Sequence, residues 1–328
     1  MINFKKKYLF FSCSLLCILF LACESEDEKK VIRLGHGLDT SHSVHKAMLY
    51  MSQRLEEKSK GTMTIDIYPN QQLGSERESL ELLQIGSLGM TKVSAATMEN
   101  FADEFKVLNL PYIFRDDEHR FKVLEGNIGE NLLKSSQSKR LLGLTFYDSG
   151  TRNFYADRPI KSPADLKGLK LRVMPSQTAI NTVEYLGGSP TPISWGELYT
   201  ALQQGIVDGA ENNLPSYYLN NHYDVCPYYT MDEHTAVPDE LIISTIVWNK
   251  LNLEQQKWLK EAAEESSVYQ KKLWQDSEQE ALDGMKEAGV TIIHPDKEKF
   301  RELVKPMYDE FKKDPVMKKT IEAIQAVQ

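Results

Sequence analysis

Apolar residues recur along this chain with two alternating periods, and the switches between them divide it into elements. Val31 to Gly35 alternates as a strand does, and Val44, Met48, Met51 and Leu55 then mark one helix face behind the cap candidates Thr40, Ser41 and Ser43. Met63 to Tyr68 predicts a second strand. Ser75 with Glu78 three positions on forms a capping box, opening a helix through Leu80, Leu83 and Gln84 that Gly86 stops, and Met90 to Ser94 predicts a third strand. Helices linking successive strands in this βαβαβ order imply a parallel sheet covered on both faces.

A second α/β unit begins near Leu141. Leu142 to Tyr147 and Leu169 to Val173 predict strands, Ser162 caps a turn rich in Pro and Asp, and Ser176 to Leu186 predicts a helix. Ser194 with Glu197 reads as another capping box, opening a helix through Leu198 and Leu202, and the short run Ile206 to Ala210 leads into Glu211-Asn212-Asn213. Beyond the cap candidate Asn252 the helical period continues to Met285, long enough to brace two lobes at once. The fold class is therefore α/β, with two lobes, parallel-dominated sheets and a cleft between them. Residues 31–140 form the first lobe, with a return segment at about 230–250; residues 141–230 form the second, and 251–328 are C-terminal helices bracing both.

The first residues address the protein for export. Lys5, Lys6 and Lys7 precede an apolar run from Tyr8 to Ala22 that is short for a membrane span. Ala22 before Cys23 resembles the lipobox of bacterial lipoproteins. That implies a signal peptide over 1–22, lipidation of Cys23, and an acidic tether over 23–30. Cys13 and Cys17 leave with the signal, so Cys226 is the one thiol remaining and the domain must hold together by its core. Removing 1–22 leaves 36 basic against 47 acidic side chains, net −11, which argues against nucleic acid or an anionic membrane surface as partner.

Catalytic signatures are missing: there is no G-x-S-x-G, H-E-x-x-H, C-x-x-C or Walker loop. Asp116-Asp117-Glu118-His119 and Asp232-Glu233-His234 have spacings that put neighbours on different faces, so both are expected in solvated loops rather than at a metal. His42 and His45 share a helix face and are read as cleft-lining or surface residues. Polar side chains recur instead after strand ends. They are His36, Glu76 and Arg77, Arg152, Arg172 at the end of its strand, and Asn212. In open α/β sheets that end is where ligands bind, and a guanidinium suits a carboxylate. Two such arginines suggest an anionic ligand, Asn and Glu could hold its hydroxyls, and Trp195, Phe154 or Tyr218 could face the C–H side of a sugar.

Several stretches are specific enough to carry a family resemblance. YPNQQLGSERESLELLQIGSLGM, LNLPYIF, GTRNFYADRPIKSPADLKGLKLRVMPS, GGSPTPISWGELYTALQQGIVDGAENN and GVTIIHP make the chain similar, over the mature length, to solute-binding proteins of the tripartite ATP-independent periplasmic (TRAP) transporters, dicarboxylate-binding type. The resemblance implies that Arg172 clamps the ligand carboxylate and that Arg152 is a second anion contact. It further implies that Asn212 takes a carboxylate or hydroxyl oxygen and that Glu76, with His45 or Lys46, holds hydroxyls from the other lobe. Arg77, Trp195 and Met174 complete the expected site. HSVHKAM, GSERE and PISWGELY resemble hexuronate-binding members, and Ser94 stands where sialic-acid binders carry a glutamate. The implied protein is an extracytoplasmic, lipid-anchored monomer. It captures a sugar acid for TRAP membrane subunits, with no cofactor, no metal and no catalysis. Another aldonic acid, a C4-dicarboxylate, or a lipid-anchored enzyme acting on acidic sugars through Glu76 and Glu211 are the alternatives.

Overall fold

The computed structural model describes residues 29–328; the expected signal peptide, Cys23 and most of the expected tether lie outside the described residues. The first lobe opens with β1 (Lys30–Gly35), α1 (Ser43–Lys58), β2 (Met63–Tyr68), α2 (Glu76–Gln84) and β3 (Met90–Ser94). β1 pairs in parallel with both β2 and β3, as the βαβαβ pattern demands. Ser75 and Glu78 form the expected capping box. The cap of α1 differs from expectation. His42 takes the position, its ring Nδ1 accepting from Val44 N at 3.2 Å, because an imidazole nitrogen can satisfy a helix-end N–H as a serine hydroxyl does.

Three further helices, α3 (Ala95–Met98), α4 (Asp117–Glu125) and α5 (Asn127–Ser135), lead to β4 (Leu141–Tyr147). The sequence reading places β4 in the second lobe, but its ladder partner is the later strand β10 (Asp239–Ser244), introduced here out of chain order, which lies between it and β3. The first sheet is thus five-stranded, β2-β1-β3-β10-β4, with β10 antiparallel to both neighbours.

The second sheet contains β5 (Arg152–Ala156), β6 (Lys170–Val173), β7 (Ser189–Pro192), β8 (Gly209–Asn212), β9 (Tyr228–Thr235) and β11 (Thr291–Ile293), in the order β11-β9-β5-β8-β6-β7. Its helices are α6 (Gln177–Tyr185), α7 (Trp195–Gln203) and α8 (Leu214–Leu219). β7 carries no alternation and was not expected as a strand; it pairs in parallel with β6, whose edge it covers. β9 belongs to this sheet, so the return to the first lobe begins after Thr235 rather than at 230. At Ser194 the full box does not form. The serine hydroxyl is given to the Glu197 carboxylate and makes no cap bond.

After α9 (Thr245–Trp248), Asn252 and Gln255 box the start of α10 (Leu253–Glu287), a 35-residue helix. It packs on α1 and β4 of the first lobe and on α8 of the second, the bracing role its length suggested. Two helices close the chain, α11 (Lys297–Phe311) against α6 and β9, and α12 (Pro315–Ala326) back on the first lobe. The lobes are joined by residues 148–151 and 236–238, so strand ends from both sheets meet at one cleft. The side chain of Gln270 on α10 pins one of these crossings, accepting from Asp148 N at 2.9 Å and donating to Asp148 O at 2.8 Å.

Candidate functional site

A cavity of about 430 Å³ lies between the lobes. The first lobe supplies the turns after β1 and β2, the N-terminus of α2 and the end of β3; the second supplies the ends of β5, β6 and β8 and the start of α7. Seven of the nine residues expected to bind ligand line it: Arg172, Arg152, Asn212, Glu76, Arg77, Trp195 and Met174. His45 and Lys46 do not. Lys46 is exposed on the outer side of α1, and His45 is buried behind the wall, its Nδ1 2.9 Å from His36 Nε2. His42, the other member of that pair, lines the cavity; its Nε2 is buried without a partner, and burial together with Lys92 lowers its pKa to about 3, so it is neutral.

Arg172 occupies the strand position that period two assigns away from the core, between the buried side chains Leu171 and Val173. It is 2% exposed. Its Nε donates to Ile193 O at 2.8 Å, and the guanidinium carbon stands 6.0 Å from the Trp195 ring centroid. Nη1 is buried with no hydrogen-bond partner, and among the described residues no ion pair joins Arg172 to a carboxylate. Desolvation lowers its pKa to about 10, which still leaves it cationic at neutral pH.

Arg152 is situated differently. Its Nε pairs with Glu211 Oε2, Nη2 donates to Glu211 Oε1 at 2.9 Å and to Glu211 O at 2.8 Å, and Nη1 donates to Asn212 Oδ1 at 2.9 Å. Burial opposes both charges, yet the pair outweighs it: Arg152 is raised, and Arg152 with His234 holds the Glu211 carboxyl down at about 2. Glu211 lies behind the wall rather than in it.

The facing lobe holds a third buried cation, which sequence reading missed. Lys92 on β3 is 4% exposed, and its Nζ donates to Glu76 Oε1 at 3.1 Å and Asp239 Oδ1 at 3.2 Å. Glu76 Oε2 also accepts from Thr97 Oγ1 at 2.7 Å and Ser94 N at 3.2 Å. Burial works against ionisation of Glu76 but Lys92 outweighs it, so its pKa is lowered; at Asp239 burial prevails over Lys92 and lifts the carboxyl to about 6. A lone lysine inside M-T-K-V-S, a strand buried at every position, was the available signal.

Other expectations are corrected. Phe154 is fully buried and stacks on His234 with centroids 4.3 Å apart, and Tyr218 packs on Tyr223, so only Trp195 of the three aromatics faces the cavity. Asp232 and His234 are not in a solvated loop: both are buried on β9, bonded to each other at 2.7 Å, while Glu233 points outward to Lys297. Their i, i+2 spacing is that of one face of a strand. Asp116 caps α4, and His119 is buried with Nε2 2.9 Å from Ile324 O.

Comparison with known proteins places this architecture. The model of bacterial extracellular solute-binding protein, family 7 (DctP), matches residues 34–314. The chain is 41% identical over 288 residues to the uncharacterized protein YiiZ of Salmonella typhimurium, covering 87% of this chain and 88% of that protein. A TRAP periplasmic solute-binding protein of Xanthobacter autotrophicus, solved with bound β-D-galacturonate, superposes with a TM-score of 0.88 at 37% identity, covering 90% of this chain and 100% of that one. Another, from Anaerococcus prevotii with bound α/β D-glucuronate, gives a TM-score of 0.88 at 35% identity, covering 90% and 97%. The chain belongs to the family-7 extracellular solute-binding proteins, the receptors of TRAP transporters.

Proposed function

We propose that this receptor captures a hexuronate, such as glucuronate or galacturonate, and delivers it to a TRAP membrane complex. The observation that carries the reading is Arg172, a buried guanidinium that faces the cavity with an unpartnered Nη1 while Arg152 and Lys92 have partners of their own. A carboxylate is the complement of that group. Asn212, Glu76 and Asp239 offer acceptors and donors for hydroxyls, and Trp195 and Met174 give apolar faces for ring C–H groups. The relatives from Xanthobacter autotrophicus and Anaerococcus prevotii hold galacturonate and glucuronate, which supports the ring size. In an enzyme on acidic sugars Glu76 and Glu211 would both have to reach the bond; the wall position of the first and the recessed position of the second favour binding without turnover. The apolar run before Ala22-Cys23 supports export with lipidation of Cys23, which would anchor the domain to a membrane.

Calorimetric titration with glucuronate, galacturonate, an aldonic acid and succinate tests the reading. Uronates should bind most tightly and be recovered unchanged. Tighter binding of succinate, or hydrolysis of an aryl uronide by the purified protein, would overturn it.

A further inference from the structure

We infer that the cleft admits a ligand with one carboxylate, and that Glu76 and Asp239, gathered around Lys92, are the residues that reject a second; this rests on Arg172 as the carboxylate site. The cavity wall holds three buried cations. Arg152 is balanced by Glu211. Lys92 is flanked by two carboxylates, Glu76 at 3.1 Å and Asp239 at 3.2 Å, so that group carries a net negative charge when all three are ionised. Among the described residues Arg172 has no carboxylate partner, and its Nη1 has no hydrogen-bond partner of any kind. The wall therefore has one place with uncompensated positive charge and another with uncompensated negative charge. Arg77, the remaining cation of the lining, has a side chain 67% exposed and already paired with Glu81, so it offers a second anion only a screened contact.

The chemistry of sugar acids makes this a choice between two oxidation levels. A uronate has one carboxylate, and the far end of its skeleton carries hydroxyl or aldehyde oxygen. The matching aldarate has a second carboxylate there, ionised at neutral pH. With one carboxylate on Arg172, a hydroxyl can donate to Asp239 Oδ2, which accepts no hydrogen bond from any described residue; Oδ1 is the atom occupied by Lys92. A carboxylate has no proton to donate, and in the low dielectric of the cleft it meets like charge, which weakens its binding.

The test titrates the wild type, Asp239→Asn and Glu76→Gln with galacturonate and galactarate at neutral pH, with melting curves confirming that each variant is folded. Galactarate should bind the wild type about thirtyfold or more weakly, the affinity ratio expected of a single like-charge juxtaposition. At least one variant, its lysine now balanced by one carboxylate, should narrow the gap about tenfold. Galactarate binding the wild type within threefold of galacturonate overturns the inference and leaves the receptor reading standing. So does a wild-type preference that both folded variants keep. If neither galacturonate nor galactarate binds the wild type, both readings are overturned.

Discussion

Replacing Arg172 by Met separates what the residue does for the ligand from what it does for the fold. For the ligand, the change leaves a carboxylate desolvated in the closed cleft without its fork of donors, a loss of about 2–5 kcal/mol, or about thirty- to several-thousand-fold in affinity. Arg172→Lys keeps the charge, loses the planar fork, and should recover part of that. For the empty protein two terms oppose. Burial drives the pKa from 12.5 to about 10, which at about 1.4 kcal/mol per pKa unit is a penalty of about 3 kcal/mol relieved by an apolar side chain. Against this stands the bond from Nε to Ile193 O, a charge-assisted contact worth about 1.5–3 kcal/mol. The terms nearly cancel, so ligand-free Arg172→Met should melt within about 5 °C of wild type, given about 2–4 °C per kcal/mol for a domain approaching this size. At 2% exposure the small effect comes from this cancellation and not from hydration of the guanidinium. Calorimetric titration beside melting curves decides the matter. Binding by Arg172→Met within threefold of wild type, or a much larger fall in the ligand-free melting temperature, would mean that Arg172 is a structural residue and that the carboxylate site lies elsewhere.

Three further outcomes are expected. Glu211→Gln strands Arg152 as a buried unpaired cation and should destabilise the protein by about 3–5 kcal/mol in urea unfolding, whereas a loss under 1 kcal/mol would show that the pair is dispensable. His234 is opposed by burial but raised to about 9 by Asp232 at 2.7 Å and Glu211 at 3.6 Å. Its folded pKa exceeds the ordinary 6.5, so its stabilisation is complete below about 6.5 and is lost as pH rises through about 9. Melting temperature should fall across that window in wild type and fall less in His234→Gln; parallel curves would remove His234 from the account. Cys23→Ser should move the protein from the detergent phase to the aqueous phase without changing the melting curve of the domain, and a wild type already wholly aqueous would contradict lipidation.

What the sequence shows well is what local chemistry decides. The limits of β2 and β3 and the box at Ser75 follow from alternation and capping, and the structure reproduces them residue for residue. What it shows poorly depends on partners far along the chain. β4 reads as the start of a second unit because a helix-rich stretch precedes it, yet strand pairing with β10, nearly one hundred positions later, keeps it in the first sheet. The same distance hides the site's third buried cation and its carboxylate: Lys92 and Asp239 become neighbours only because β3 and β10 lie side by side in register, Ser94 opposite Asp239. Arg172 and Arg152 look alike as strand-terminal arginines. Only the antiparallel register of β5 with β8, which sets Asn153 opposite Asn212 and Phe154 opposite Glu211, brings Arg152 its own carboxylate and leaves Arg172 without one.

That difference between two arginines also bears on how the receptor would move. An arginine with its own carboxylate is nearly indifferent to closure, because the charge is balanced whether or not the lobes approach. Arg172 is not indifferent. In an opened cleft water can hydrate its fork, while in the closed arrangement Nη1 is buried and bare, and a ligand carboxylate is the group able to offset that cost. Without ligand the lobes share an apolar cluster, and beside it polar contacts join them, among them Asn100 Nδ2 to Pro175 O at 2.8 Å and Thr178 N to Glu99 Oε1 at 3.1 Å. The crossing at Asp148, fixed by Gln270 of the bracing helix, limits the directions in which they can part. The unpaired guanidinium therefore acts on both sides of the equilibrium. It disfavours an empty closed cleft and rewards an occupied one, which is the differential affinity a receptor needs if its closed form is to report that it carries cargo.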